Sequence, residues 1–387
     1  MGIDPLVIPY KARDPENDEH IKKGIIMHRR EFIKKTALSG AICLAPSFLT
    51  ASVEIKNTLA LYDLQWKFDL TAHGAKECAL WVPLPSDISG FQSVLQIGAE
   101  GTAKKSFQTT HNNYESATFY AYWDNSATNK TLDLSMKVAL RDRQCDFKRT
   151  RVCSDSIQEA KEFLAPTAHI PTDGAVAKAA KKIVGNEKDP LKKARKIYDW
   201  IIANGYRDEN VHGCGVGSPN AMLAQLEKDG RMGGKCLDMS ALCVALMRAS
   251  GIPAREVLGI RVGPSRLSPA FGAKEDITKS QHCKLEFFIS TLGWVPCDPA
   301  DITKLVLKEN LEKTSPRVLE LADKFFGFWE NNWMAFNHAR DFDLYPANTQ
   351  GSLDSFGYPY AEVESEYLDP FEPSAYQYKI LSKKVTL

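Results

Sequence analysis

"GGKCLDMSALCVALMRASGIPAR" (Gly233–Arg255) places a cysteine at the point where two glycines give way to a helix. Leu242, Ala245, Leu246 and Ala249 recur at spacings of three and four, which sets them on one apolar face of that helix. Ser250, Gly251 and Pro253 then end it, with glycine just past the last turn and proline soon after. Cys236 therefore falls in the first turn. There the unsatisfied backbone N–H groups and the positive end of the helix dipole favour thiolate over a thiol that otherwise titrates near ~8.5. Gly233 and Gly234 leave room for a substrate backbone to approach. The competing reading is a small buried thiol, which is what most free cysteines are, and the segment alone does not separate the two.

At 387 residues, 44% of them apolar, the chain is long enough for a sizeable core and two domains. Its 49 basic and 48 acidic residues leave a net charge of +1, so no overall field points to nucleic acid. Residues 1–60 read as an address. "HRREFIKKTALSGAICLAPSFLTAS" sets basic residues ahead of a mild apolar run, and Arg29, Arg30, Phe32, Ile33 and Lys34 resemble a twin-arginine export signal. The run from Thr36 to Ala51 is too short and too polar for a stable membrane span. It is expected to be cleaved, with Met27 as the start of translation and the periplasm or cell envelope as destination. An N-terminal amphipathic helix with adjacent arginines is the structural alternative. Ile42 argues against lipidation of Cys43. The other eight of the nine cysteines would then work in an oxidising compartment, where a nucleophile has to stay unpaired.

Between residues 61 and 150 the apolar period is two. "YDLQWKFDL" alternates Tyr62, Leu64, Trp66, Phe68 and Leu70 with polar neighbours, and "LDLSMKVAL" repeats the pattern. With "ECALWVPLP" and "SATFYAYW" among turn-rich pieces, this region predicts an antiparallel β-sandwich. From 151 to 305 the period turns helical. "DPLKKARKIYDWIIANG" has Asp189 to cap, Pro190 at the first helical position and Gly205 as a stop. After the Cys236 helix, "REVLGIRVG", "HCKLEFFIS" and "GWVPCDP" read as strands, so the second domain is expected to be α+β. Residues 306–387 are rich in aromatics without a clear repeat and are expected to pack on that second domain.

A catalytic thiol needs a base and a group to orient it. A tight turn near Leu292 brings His282 on one strand within a few residues of facing Asp298 on the next. Each has an ordinary reading, as a structural strand histidine and as an Asp-Pro turn, and Asp301 competes with Asp298. "HGCGVG" (212–217) adds a second chemistry, because His212, Cys214, His282 and Cys283 are metal-ligand types. Their spacing matches no familiar zinc module, so a rim of the cleft is preferred and no metal is expected. No phosphate loop, dinucleotide fingerprint or EF-hand loop is found, and no cofactor is expected.

The two motifs together, "GGKCLDMSALCVALMRASGIPAR" and "QHCKLEFFISTLGWVPCDPAD", resemble the core of the transglutaminase-like superfamily. "ALWVPLP" and "FGYPYAEVE" resemble segments of a bacterial branch that pairs a sandwich with that core. The resemblance implies a papain/transglutaminase-like cysteine-proteinase core preceded by an antiparallel β-sandwich. It implies Cys236 as nucleophile, His282 as general base and acid, and Asp298 as orienting carboxylate, acting by acyl transfer through a thioester. The backbone N–H of Cys236 and, as a second donor, Tyr206 are candidates for the oxyanion. Tyr206, Gly234 and Trp294 are the expected substrate-binding positions. Peptides or proteins, peptidoglycan peptides among them, are the expected substrates. A cross-linking transglutaminase and a non-catalytic scaffold that keeps the fold are the alternatives.

Overall fold

The computed structural model describes residues 6–8, 59–149, 154–372 and 376–385. The export-like segment, Met27, Cys43 and Cys153 lie outside them. Strict alternation builds the first layer pair. Along Ala60–Asp69, residues Tyr62, Leu64, Trp66 and Phe68 are buried while their neighbours are not. The same holds for Thr131–Leu140, which pairs with it in antiparallel register from Ala60↔Leu140 to Asp69↔Thr131. A slip of one residue would turn these side chains to water, at ~1.5–3 kcal/mol for each large one. Sequence order predicted a sandwich confined to residues 61–150, but the chain returns to it at the end. Tyr378–Val385 runs antiparallel beside Ala60–Asp69, and Leu6–Ile8 lies at the far edge of the same five-stranded sheet. In the facing five-stranded sheet, Tyr360–Val363 pairs with Cys78–Pro83, and Glu366–Leu368 lies at its edge. Much of the aromatic C-terminal stretch thus completes the sandwich, where Tyr376 and Tyr378 pack on Phe68.

The middle of the chain forms an α+β layer. Its sheet has four antiparallel strands in the order Gly293–Cys297, Gln281–Ile289, Ala254–Arg261 and Trp333–Asn337. The Cys236–Ala249 helix packs against it, with the Gly174–Val184 and Pro190–Asn204 helices around it. The single apolar stripe expected on the Cys236 helix is an understatement. Every residue from Cys236 to Arg248 is buried, as befits a helix with few polar residues and neighbours on all sides. The Pro190 helix starts as expected, Asp189 accepting from the N–H groups of Leu191 at 2.8 Å and Lys192 at 3.0 Å. Directly after it, Gly205–Arg207 forms a short parallel ladder with Met232–Gly234, which feeds the chain into Cys236.

Candidate active site

Cys236 is the first residue of its helix and only 2% exposed. Asp238, in the same first turn, gathers three N–H groups onto its carboxylate: Lys235 at 2.9 Å, Val216 at 3.0 Å and Gly217 at 2.8 Å. This folds the glycine-rich 212–217 loop over the helix start, where Leu237 N–H donates to the Cys214 carbonyl at 2.9 Å. Gly215 is required there. It has φ +100°, and a Cβ would sit 1.9 Å from an Asp238 oxygen.

His282 opens its strand two positions before Lys284, and both reach Asp298, which heads the helix beyond the hairpin. His282 Nε2 donates to Asp298 Oδ2 at 2.8 Å, and Lys284 Nζ donates to the same oxygen at 2.6 Å. Asp298 Oδ1 caps the Pro299–Lys308 helix by accepting from Asp301 N–H at 3.0 Å. Asp298 is fully buried and His282 is 3% exposed. With Nε2 engaged, Nδ1 is the ring nitrogen left for Cys236, whose thiolate His282 favours. The geometry thus brings Cys236, His282 and Asp298 together. Asp301 is a neighbour rather than a rival. It pairs with Arg261 and lies 3.5 Å from His282, and burial, which would raise its pKa, is overcome by Arg261 and the nearby cations. His282, Asp298 and Asp301 are close enough to hold an ion, but their oxygens are already shared with Lys284 and Arg261.

Three thiols meet at this point. The sulfurs of Cys214, Cys236 and Cys283 lie within 4.8 Å of one another, and all three residues are buried. Hydrogen bonds from Cys214, then from Cys283, hold the Cys236 thiol well below the usual thiol range; His282 adds to this, against the effect of burial. Contact with Cys236 pushes Cys214 up, and contact with Cys214 pushes Cys283 up. The three thiols thus favour ionisation at Cys236, the one at a helix N-terminus, over ionisation at its two neighbours. Of the four residues considered as metal ligands, Cys214 and Cys283 converge. His212 instead sits at the rim, 3.4 Å from Asp369 and against the Phe371 ring. All the described cysteines are free thiols.

Cys214, Cys236 and His282 line a cavity of about 490 Å³. Arg207, Lys235, Lys279 and Lys304 also line it, against Glu209 and Glu372, and Glu209 is itself paired with Lys308. Burial, then Arg261, brings the Lys304 ammonium down to about 8. The three positions expected to bind substrate are not among the residues that line it. Tyr206 lies against Gly233, with the Arg231 guanidinium 4.7 Å above its ring, and does not line the cavity. Gly234 is buried, and a Cβ there would meet Asp238 Cβ at 2.8 Å, so close packing of the helix start accounts for this glycine. Trp294 is stacked under Arg255 at 4.0 Å, away from the cavity. Lys284 and Arg261 are the neighbours that sequence reasoning missed, and for Lys284 the signal was there, in its spacing of two from His282; Cys214, expected at the rim of the cleft, lies in its lining beside Cys236.

Comparison with known proteins bears on the family and the fold. A model of the transglutaminase-like superfamily matches residues 177–299, which contain Cys236, His282 and Asp298. An uncharacterized protein of Haemophilus influenzae is 36% identical over 374 residues, covering 91% of this chain and all of that one. The crystal structure of a candidate cysteine protease from Cytophaga hutchinsonii superposes with a TM-score of 0.52 at 13% identity, over 85% of this chain and 92% of that one, which shows a shared fold. The periplasmic domain of TgpA from Pseudomonas aeruginosa matches with a TM-score of 0.34 at 14% identity, over 67% of this chain and 93% of that one.

Proposed function

Because the chain belongs to the transglutaminase-like superfamily, we propose that it is a cysteine-dependent acyl-transfer enzyme that cleaves an amide or peptide bond with Cys236, His282 and Asp298. The observation that carries this reading is the buried His282–Asp298 pair set against a thiol at a helix N-terminus, on the wall of an open cavity. The Cys236 thiolate attacks the carbonyl carbon, and the carbonyl π pair moves to oxygen beside the Cys236 N–H. As the oxygen pair returns, the C–N bond breaks, and protonated His282 gives its proton to the departing amine. Water then attacks the thioester, His282 takes its proton, and the thiolate leaves. Asp298 holds the imidazole in register, and Lys284 holds Asp298.

The cationic lining favours substrates that carry carboxylates near the scissile bond, such as peptidoglycan stem peptides or acidic protein segments. Such substrates fit the envelope location that the twin-arginine-like segment suggests. Among the described residues, no helix is long and apolar enough to cross a membrane. The test is trapping of the acyl-enzyme. The protein is mixed with an activated ester and then with acidic and basic peptides, and intact mass is followed. The reading expects one acyl group on Cys236, released by hydroxylamine, and faster turnover of the acidic peptides. Release to water marks a hydrolase, and transfer to an added amine marks a cross-linking enzyme. No acylation of Cys236 by any probe would leave only a scaffold.

A further inference from the structure

Acyl transfer needs one thiol, yet three converge here from separate elements: Cys214 from the glycine-rich loop, Cys236 from the helix start and Cys283 from the central strand. The bond-making steps use Cys236 alone, and the other two thiols act on it only by favouring its thiolate. We propose that Cys214, Cys236 and Cys283 form a three-thiolate site for a thiophilic d¹⁰ cation such as Zn²⁺, and that its occupation silences Cys236.

The geometry is close to that of such a site. Three points no more than 4.8 Å apart have a common centre within about 2.8 Å of each, and a Zn–S bond is ~2.3 Å, so a shift of about half an ångström brings all three sulfurs into range. Soft thiolate ligands select zinc and its heavier or monovalent relatives over calcium and magnesium. Cys214 and Cys236 open on the cavity, which gives the cation a route in and leaves a side for a fourth ligand, water or substrate. The Tyr358 hydroxyl, 3.1 Å from the Cys214 sulfur, supplies an outer hydrogen bond of the kind that orients metal ligands. Binding of a divalent cation by three thiolates leaves one negative charge, and Arg261 and Lys304 on the cavity wall face it. On binding, Cys214 and Cys283 give up their protons to solvent, and all three sulfurs, Cys236 already as thiolate, each give a lone pair to the metal. The pair on Cys236 is then no longer available to attack a carbonyl. Binding rests on the three thiols alone; only the loss of turnover rests on the acyl-transfer reading.

Cadmium is the probe, because its thiolate charge-transfer band is read in the ultraviolet without any substrate. The full chain, reduced and freed of metal, is titrated with Cd²⁺. The expected result is a band that saturates at one equivalent, with Cd²⁺ affinity lowered in both Cys214→Ser and Cys283→Ser by more than the ~10–100-fold that outer-ligand changes cost. Cys243→Ser and Cys297→Ser, which remove buried thiols of the core outside this cluster, should keep the band. To avoid dependence on the folding of any variant, the wild-type protein is also alkylated at Cys236 before titration, and the band should vanish. The absence of a one-equivalent band, its survival after alkylation, or an affinity lowered by no more than ~10–100-fold in either of the two ligand variants overturns the site. The two proposals fail separately. A band on a protein that is never acylated keeps the metal site and removes the enzyme, whereas an acylated protein without a band does the reverse.

Discussion

Two groups of buried charge lie on the same face of one strand, Gln281–Ile289, and they do opposite things. At its start, His282 and Lys284 converge on Asp298 beside an open cavity. Further along, Glu286 is clamped between Arg143 at 2.5 Å and Arg255 at 2.6 Å. Trp294 covers Arg255 there, and Arg143 comes from the end of the sandwich segment. Burial would raise the Glu286 carboxyl, but the two guanidinium groups bring it down to about 2. The residue types resemble each other; the surroundings differ. One group has a nucleophile and a cavity to work on, and the other joins two parts of the fold. Buried charge therefore marks function here only where it meets a reactive group that solvent or substrate can reach.

That contrast can be broken by substitution. Cys236→Ala should lower kcat/KM by roughly 10⁴- to 10⁶-fold with little change in thermal midpoint, since catalytic members of such triads fail together. Asp298→Asn keeps a helix cap, because asparagine caps as well as aspartate, but it should cost about 10³–10⁴ in kcat. Steady-state rates beside a melting curve separate these two effects. Glu286→Gln should do the reverse, costing about 3–5 kcal/mol in denaturant unfolding because it leaves two arginines without their buried partner, while kcat of the folded fraction holds. An equal loss of activity and stability in all three variants would erase the distinction between the two ends of the strand.

A smaller effect sharpens the comparison from the next strand. Glu256 is buried, and desolvation pushes its carboxyl from 4.5 to about 7 despite Arg340 at 3.3 Å. With the folded value raised, this group's stabilisation is fully present below about pH 4.5 and is lost as pH rises through 7. Glu256→Gln should flatten that part of the stability profile and gain about 1–3 kcal/mol at pH 8, read from denaturation midpoints across the range. A steeper decline in the variant than in wild type would contradict the sign.

How much of this was legible depends on whether the signal was local. The Cys236 helix, the hairpin and the alternating strands follow from periodicity and punctuation over ten to twenty residues, and they bring His282 and Asp298 near each other by register alone. The polar face of the His282 strand was also readable, but its burial was not, because Trp333 and Phe325 that cover Lys284 come from much later in the chain. The meeting of Cys214 with Cys236 depends on Asp238 drawing in the glycine-rich loop, a contact across more than twenty positions with no periodic trace. The same is true of Tyr378–Val385, whose own pattern alternates but whose partner strand lies over 300 residues earlier. Tyr206 and Trp294 were singled out by proximity in sequence to the motifs, and neither lines the cavity.

The most direct test is the rate of iodoacetamide labelling at each cysteine against pH, with a chelator present, in wild type and His282→Ala. Cys236 should label fastest and keep its rate well below the ordinary thiol range near ~8.5, and it should slow in the variant, because His282 helps to hold the thiolate. Labelling at Cys236 that is no faster than at the other cysteines, and unchanged without His282, would contradict the thiolate–imidazole pair on which the proposed chemistry stands.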